Sequence, residues 1–215
     1  MDIAGTTVED PDGVGGCLKA ALAAADIAAK HEDVNSLMGI PKPLAITRLM
    51  ELAGTTPDPA LVDEVFRDFR HRMVTYYRED PGIREVEGAA AVFKELRNRG
   101  IKVALDTGFD RQIVDVLLER LGWDTGLLDV TVTSDEVPRG RPYPDLIYRA
   151  MELTGVEDVK AVAKVGDTPS DLQEGASAGC GMNVGVTQGT HTRDQLKDHP
   201  HTHLIGTIRE LPAIL

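Results

Sequence analysis

The sequence predicts an α/β fold with a doubly wound parallel sheet and a helical cap inserted near the N-terminus. Two observations support this fold class. From about residue 82 onward, short β-branched runs alternate with segments of helical periodicity, which is typical of βαβ units. Between about Gly16 and Arg78, apolar residues recur only at helical spacing, so we expect helices and no strand in that part of the chain.

The predicted core alternates strands with helices in a Rossmann-like order. Its strands are expected at residues 101–105, 130–133, 161–165, 182–186 and 202–205. Its helices are expected at residues 87–99, 111–121, 144–153, 169–178, 193–196 and 208–215. The turn residues Asp80, Pro81 and Gly82 mark the return from the cap. We therefore assign residues 1–9 and 82–215 to the core and residues 10–81 to the cap.

The composition excludes several classes of function. The 215 residues carry a formal net charge of −12, and a negative surface repels nucleic acid. The longest apolar run, residues 20–25, is far shorter than the roughly 20 residues that cross a bilayer. The N-terminus has no basic segment followed by an apolar run, so no secretory signal is predicted. We expect a cytoplasmic protein that binds neither nucleic acid nor a membrane.

Polar residues that suit phosphoryl transfer follow the predicted strands, where parallel sheets bind ligands. Thr107 and Gly108 follow one strand, and Asp167 and Asp171 follow a later one. A further acid, Asp2, stands at the start of the chain. An acidic nucleophile, a hydroxyl beside glycine, a basic residue and a second acidic pair are the groups that transfer a phosphoryl group to a carboxylate. Asp2 and Asp167 would repel each other strongly without a cation such as Mg²⁺.

Four segments resemble, in order, the four motifs of the haloacid dehalogenase superfamily. They are Asp2-Ile3-Ala4-Gly5-Thr6-Thr7, Leu105-Asp106-Thr107-Gly108, Arg139-Gly140-Arg141-Pro142 and Gly166-Asp167-Thr168-Pro169-Ser170-Asp171. A more specific similarity, to phosphonoacetaldehyde hydrolase (phosphonatase) and its phosphonatase-like relatives, lies in the first motif and in the runs at residues 140–144 and 164–168. The resemblance covers most of the chain and implies a hydrolase that acts on a small phosphonate or phosphorylated substrate.

The resemblance implies a role for each matching residue. Asp2 is the expected nucleophile, which forms an aspartyl-phosphate, and Arg141 takes the place of the usual lysine. Thr107 and the Gly108 amide would hold the phosphoryl oxygens, while Asp106 is expected to point away because side chains alternate along a strand. The expected cofactor is Mg²⁺, bound by Asp2, the Ala4 carbonyl, Asp167 and Asp171. The substrate contacts expected in addition are Thr6, Gly108 and Met38.

The lack of an acid at position 4 indicates an unusual leaving group. Most phosphatases of the superfamily have a second aspartate there, which protonates the leaving alcohol, and the methyl group of Ala4 cannot do this. In phosphonatases a cap lysine forms a Schiff base with an aldehyde instead, and Lys42 ends a segment, Met38-Gly39-Ile40-Pro41-Lys42, that resembles theirs. Ala45 and Phe109 stand where the phosphonatase pattern has histidine and tyrosine, so proton transfer at the imine would fall to water.

Several alternatives are open from the sequence alone. A phosphate-monoester phosphatase of the phosphoglycolate phosphatase type would share every core motif, with Lys42 as a solvated residue of the cap. A receiver-type phospho-acceptor module combines the same residue types, but the helical insertion argues against it. A truncated, inactive homologue is a third alternative. The resemblance also leaves a homodimer as a possible assembly.

The start of the chain leads to one further expectation. A nucleophilic aspartate in this fold ends a buried apolar strand, and only Met1 precedes Asp2. We therefore expect the N-terminal central strand to be missing and its two neighbours to lack a partner. Burial of about five apolar residues is worth roughly 1.5–3 kcal/mol each, which is comparable with the stability of a whole domain. The chain is accordingly expected to be weakly folded.

Overall fold

The structure is a computed structural model that describes residues 1–215. The first 80 residues form helices α1 (Gly13–Ala24), α2 (His31–Ser36), α3 (Lys42–Leu52) and α4 (Pro59–Glu79). The strands are β1 (Ala104–Thr107), β2 (Val130–Thr133), β3 (Ala163–Gly166), β4 (Met182–Val186) and β5 (His203–Ile205). The remaining helices are α5 (Ala89–Asn98), α6 (Arg111–Leu121), α7 (Asp145–Thr154), α8 (Pro169–Ala178), α9 (Arg193–Leu196) and α10 (Leu211–Ile214). This alternation confirms the predicted α/β fold class.

Helix α4 illustrates why the segment before the core is helical. Asp58 caps it, since the Asp58 carboxylate accepts the N–H of Leu61 at 3.3 Å. Buried side chains recur every four positions, at Val65, Phe69, Met73 and Tyr77, which gives the helix one apolar face. Helix α4 contacts α1, α3 and, in the core, α6. None of the helices combines the length and the apolar character that a bilayer crossing requires. The division of the chain at residues 10 and 81 stays a prediction.

The strands pair in parallel, in two sheets and not in one. β1 pairs with β2 in the register Ala104 with Val130, and β4 lies between β3 and β5. The strands predicted at residues 130–133 and 182–186 have these bounds in the structure. The strand predicted at 101–105 begins later, at Ala104, because the Val103 N–H donates to the Asp129 carboxylate at 2.8 Å and leaves the ladder.

Two other expected bounds are wrong for local reasons. The strand expected at residues 161–165 begins at Ala163, because a 3₁₀ turn at Val159–Ala161 precedes it. The Asp158 carboxylate closes that turn by accepting the N–H of Lys160 at 2.8 Å. The single helix expected at residues 208–215 is divided into a 3₁₀ turn at Ile208–Glu210 and the short helix α10.

The backbone of Met1 and Asp2 lies between the two sheets and joins them. The Met1 amine donates to the Ala104 carbonyl at 2.8 Å, and the Met1 carbonyl accepts the N–H of Asp106 at 2.9 Å. On the other side, the Asp2 N–H donates to the Val165 carbonyl at 2.9 Å. Burial lowers the pKa of the Met1 amine, because the charged form loses its hydration.

A cavity of about 500 Å³ continues from Met1 between β1 and β3. Most of its lining is apolar and comes from the strands and from α5, α7 and α10, with Leu96, Ala104, Ile147, Val165 and Leu211 among the residues. Ala104, whose carbonyl accepts the Met1 amine, is part of this lining. The cavity therefore offers an extended apolar segment a mostly apolar wall to pack against.

The cavity predicts a stabilising extension of the chain. We expect a variant with about six apolar, β-branched residues added before Met1 to unfold at least about 10 °C above the 215-residue chain. Each buried apolar side chain is worth roughly 1.5–3 kcal/mol, and about 1 kcal/mol shifts the midpoint by roughly 2–4 °C in a domain of this size. Thermal unfolding followed by circular dichroism measures the effect. A six-residue Gly/Ser extension is the control, and equal midpoints for the two extensions would contradict the prediction.

Candidate active site

Asp2 lies between the two sheets, near the carboxyl ends of β1 and β3. Its backbone is fixed on both sides, since its N–H donates to β3 and its carbonyl accepts the Thr7 hydroxyl at 3.0 Å. Its carboxylate is buried and accepts a hydrogen bond from Nη1 of Arg141 at 2.6 Å. Burial raises the pKa of Asp2, and Arg141 acts in the opposite direction. The carboxyl ends of parallel strands are the usual ligand-binding edge of such folds.

Three buried carboxylates meet at this edge. Asp2, Asp167 and Asp171 each offer an oxygen, and these oxygens lie within 4.8 Å of one another. Oδ1 of Asp167 accepts the Thr6 hydroxyl at 2.8 Å, and Oδ2 accepts the N–H of Thr190 at 2.7 Å. Burial and the charges of Asp2 and Asp171 raise the pKa of Asp167 to about 7. The carboxylates therefore repel one another in the absence of a neutralising cation.

The three acids fit a hard divalent cation. Asp171 is held at the start of α8, where its Oδ2 accepts the hydroxyl of Thr168 at 2.6 Å. Its Oδ1 is buried and lies 3.0 Å from Nη1 of Arg141 and 3.2 Å from Nζ of Lys164, so two cations already offset part of its charge. Carboxylate oxygens are the ligands that hard cations such as Mg²⁺ prefer. Ala4, whose carbonyl is the other predicted ligand, lines the same small cavity as Asp2.

Arg141 is fully buried and binds acids with all three guanidinium nitrogens. Nε donates to Glu174 at 2.9 Å, Nη1 donates to Asp2, and Nη2 donates to the carbonyl of Asp106 at 2.7 Å and to its carboxylate. Burial opposes the charged guanidinium, but the carboxylates outweigh it and raise the pKa of Arg141. The Arg141 guanidinium is therefore held in one orientation, with Nη1 directed at the Asp2 carboxylate.

Lys164 is a second buried cation, and it was not among the predicted site residues. Its ammonium contacts the Asp106 carboxylate, Glu174 at 2.6 Å and Asp171 at 3.2 Å. Asp106 does point away from Thr107, as strand alternation predicts, and binds Lys164 and Arg141 instead. Although burial works against the ionised carboxyl, these two cations hold the pKa of Asp106 well below its usual range.

Thr107 and Gly108 form a turn against the loop that precedes α3. The Thr107 hydroxyl oxygen accepts the N–H of Phe109 at 3.2 Å. A methyl group at Gly108 would lie 2.7 Å from the Ile40 carbonyl oxygen, so only glycine permits this approach. Gly39 has φ +83°, and a methyl group there would lie 2.5 Å from the Thr168 hydroxyl. These close contacts place the start of α3 directly over the acidic cluster.

Lys42, the first residue of α3, is buried in the small cavity that also contains Asp2. Its Nζ lies 5.4 Å from the centroid of the Phe109 ring, within cation–π distance. Burial lowers the pKa of Lys42 to about 8, against the opposing charges of Asp2 and Asp10. A substantial fraction of the amine is therefore neutral near pH 8 and can act as a nucleophile.

The small cavity has a volume of about 30 Å³ and brings together most of the residues singled out from sequence. Its walls include Asp2, Ala4, Met38, Lys42, Thr107, Gly108 and Arg141. Asp167 and Asp171 border it through the acidic cluster. Thr6 is not part of the cavity wall, and its hydroxyl donates a hydrogen bond to Asp167. Its predicted contact with substrate stays a prediction, as do the roles of the other residues.

Four site residues were not predicted as functional, namely Asp10, Lys164, Glu174 and Thr190. Lys164 and Glu174 belong to predicted elements, but their partners are distant in sequence, with Lys164 and Asp106 separated by 58 positions. Asp10 lies in a loop with no periodicity, and Thr190 acts through its backbone N–H. Only the acidic character of Glu174 on the predicted helix 169–178 could have drawn attention to it.

Comparison with known proteins agrees with this geometry. A family model for haloacid dehalogenase-like hydrolases matches residues 1–179. A Bacillus cereus phosphonoacetaldehyde hydrolase is 36% identical over 138 residues, which cover 64% of this chain and 51% of that protein. The chain thus spans about half the length of this curated relative.

Solved structures give the same fold. A hydrolase from Pseudomonas syringae superposes with a TM-score of 0.89 at 19% identity, covering 99% of this chain and 95% of that one. A phosphonoacetaldehyde hydrolase-like protein from Oleispira antarctica superposes with a TM-score of 0.86 at 20% identity, covering 99% and 88%. With a family model that matches most of its length, this chain belongs to the haloacid dehalogenase-like hydrolases.

Proposed function

We propose that this hydrolase cleaves the carbon–phosphorus bond of a small phosphonate aldehyde, in the manner of phosphonoacetaldehyde hydrolase. The observation that carries the proposal is the burial of Lys42 in one cavity with Asp2, Thr107 and Gly108. An amine that forms an imine and a carboxylate that attacks phosphorus must reach two atoms of one small molecule that are separated by a single CH2 group. Two groups on the walls of a cavity of about 30 Å³ meet that requirement.

Asp2 is the proposed nucleophile, which attacks phosphorus and forms an aspartyl-phosphate. Arg141 favours the ionised form of the carboxylate and orients it through the hydrogen bond of 2.6 Å to Oδ1. The Thr107 hydroxyl and the Gly108 N–H would hold the phosphoryl oxygens. The Ile40 carbonyl leaves no room for a side chain at Gly108, and the cavity of about 30 Å³ is smaller than the substrate, so the loop at Gly39 and Ile40 would have to move to admit it.

Mg²⁺ is the proposed cofactor, held by Asp2, Asp167 and the Ala4 carbonyl with Asp171 beside them. Bound there, it would offset the carboxylate charges and screen the phosphonate dianion from Asp2. Thr6 and the Thr190 N–H orient Asp167 through hydrogen bonds of 2.8 and 2.7 Å. The approach of one oxygen from each of Asp2, Asp167 and Asp171 to within 4.8 Å of one another supports this assignment.

Lys42 is the proposed Schiff-base residue. Its neutral amine would condense with the aldehyde, and the positive imine would accept the electron pair when the carbon–phosphorus bond breaks. The carbon that leaves phosphorus in this way becomes part of an enamine and needs no proton from an acid at position 4, which agrees with the methyl group of Ala4. Phe109 stabilises the cationic form of the nitrogen through its ring face, 5.4 Å away.

A phosphate-monoester phosphatase is the second candidate. The observation that favours it is Ala45, which is fully buried one turn after Lys42 and carries no group that could transfer a proton. Such an enzyme would use Asp2, Arg141 and the acidic cluster in the same way, and Lys42 would only contribute positive charge to the cavity.

Substrate preference and Lys42 distinguish the two candidates. We expect turnover of phosphonoacetaldehyde with Mg²⁺, and a loss of at least about 1,000-fold in Lys42→Ala, since covalent catalysis is removed. Asp2→Asn is expected to abolish turnover. The measurement is a coupled assay of released acetaldehyde, with Lys19→Ala, a partly exposed lysine of α1, as the control. Full activity of Lys42→Ala on a phosphate ester, without turnover of phosphonoacetaldehyde by the wild type, would favour the phosphatase.

The lowered pKa of Lys42 predicts a specific pH dependence of imine formation. Trapping of phosphonoacetaldehyde on Lys42 with cyanoborohydride is expected to rise about tenfold per pH unit up to about pH 8 and then to level off. A lysine with the ordinary pKa of about 10.4 would continue to rise beyond pH 9. Peptide mass spectrometry measures the adduct. A rate still rising tenfold between about pH 9 and pH 10 would contradict the prediction.

The raised pKa of Asp167 predicts that Mg²⁺ affinity depends on pH. Below about pH 7 protons compete with the cation for Asp167, so affinity is expected to fall roughly tenfold per pH unit. Isothermal titration with Mg²⁺ at about pH 6, 7 and 8 measures it. Asp167→Asn is expected to abolish binding, while Asp194→Asn, an exposed acid paired with Lys197, is the control. An affinity that is unchanged between about pH 6 and pH 8 would disprove this role of Asp167.

A further inference from the structure

We propose that Asp10 is the catalytic acid and base for imine formation at Lys42. The inference rests on the proposed function, because it assigns a residue to the aldehyde chemistry of that site. Asp10 lies just before α1 and is absent from the motifs that the resemblance identifies. Its position in the structure carries the inference.

Asp10 lies in the wall between two cavities. On one side it lines the small cavity that contains Lys42, Asp2 and Phe109. On the other side it lines a wider polar cleft of about 360 Å³, together with Gly5, Glu87, Gln188 and Arg209. A carboxyl group in this position can exchange protons with water in the cleft and deliver them to the small cavity.

The Asp10 carboxyl is held with one oxygen free. Its Oδ1 accepts the N–H of Gly13 at 2.6 Å and the N–H of Val14 at 3.1 Å, both in the first turn of α1. These bonds use Oδ1 only, which leaves Oδ2 for a proton. The side chain is therefore oriented before any substrate binds, as a general acid–base group must be.

The surroundings of Asp10 favour a group that can both give and accept a proton. Burial raises its pKa, while the two backbone N–H groups and the charge of Lys42 lower it and Asp12 raises it. These opposing effects leave the pKa above that of a free aspartate, closer to the working pH of a proton-transfer group. No other acid that lines the small cavity is available for this task, because Asp2 is bound to Arg141.

The proton transfers balance over the condensation. The neutral Lys42 amine forms a bond to the aldehyde carbon, and the carbonyl oxygen takes the proton of the Asp10 carboxyl. The Asp10 carboxylate then removes one proton from the ammonium nitrogen of the adduct. It returns this proton to the hydroxyl as the carbon–oxygen bond breaks, so that water leaves and the nitrogen lone pair completes a protonated imine. Asp10 ends as a carboxylate and regains its proton from water in the polar cleft.

Asp10→Asn tests the proposal, since asparagine keeps an oxygen that can accept the Gly13 and Val14 bonds but carries no transferable proton. The probe is phosphonoacetaldehyde with cyanoborohydride, and the readout is the initial rate of adduct formation on Lys42. We expect a rate at least about 100-fold below the wild type, as is typical for loss of a general acid–base group. The aldehyde concentration for half-maximal rate is expected to stay within about threefold. Asp12→Asn, the neighbouring acid of the same loop, is the matched control and is expected to react as the wild type does.

A purely structural role is separated by chemical rescue. If Asp10 transfers protons, added formate is expected to raise the rate of adduct formation in Asp10→Ala by at least about tenfold. The thermal midpoints of the Asp10 and Asp12 variants are expected to agree within about 2 °C. An Asp10→Asn variant that traps the aldehyde at the wild-type rate overturns the role of Asp10 and leaves the proposed function intact. Loss of rate without rescue by formate also overturns it. Absence of any Lys42 adduct in the wild type overturns both the proposed function and the role of Asp10.

Discussion

The balance of buried opposite charges between β1 and β3 is the constraint on which the rest of the structure depends. Arg141 and Lys164 are surrounded by the carboxylates of Asp2, Asp106, Asp171 and Glu174. Removing one partner of such a buried pair leaves an uncompensated charge and is destabilising by roughly 3–5 kcal/mol. These residues come from the N-terminal segment, from β1 and β3, from the loop that precedes α7, and from α8. Their pairing therefore determines how those elements meet.

The same charges prepare the site for its chemistry. The carboxylates outnumber the two buried cations around them, and Asp167 adds another acid beside Asp2. This excess of negative charge favours a divalent cation, and the proposed Mg²⁺ would offset it for an anionic substrate. Burial also lowers the pKa of Lys42 to about 8, because the charged ammonium loses its hydration. One cavity thus holds an oriented carboxylate and a partly neutral amine, whereas a lysine in water near pH 8 is almost fully protonated.

The sequence predicted the elements and motifs better than the contacts between them. Helices at residues 111–121 and 169–178 have the expected bounds, because caps and apolar periodicity are local signals. Asp2, Lys42 and Arg141 were expected in one place, because their segments resemble the superfamily motifs and the lysine segment of the phosphonatase cap. The pairing of Asp106 with Lys164 could not be predicted, because β1 and β3 are not hydrogen-bonded neighbours. Asp10 gave no signal either, since a loop carboxylate has no periodicity and its partners depend on how α1 packs.

The central claim is that Asp2, held by Arg141, receives the phosphoryl group. The most direct measurement quenches the enzyme in acid during turnover of phosphonoacetaldehyde and reduces it with borohydride, which converts an aspartyl-phosphate to homoserine. Mass spectrometry of the N-terminal peptide then identifies the modified residue. The structure predicts homoserine at position 2, where the carboxylate faces the cavity that contains Lys42. Homoserine at Asp10, Asp106, Asp167 or Asp171, or none at all in an enzyme that turns over, would contradict the account.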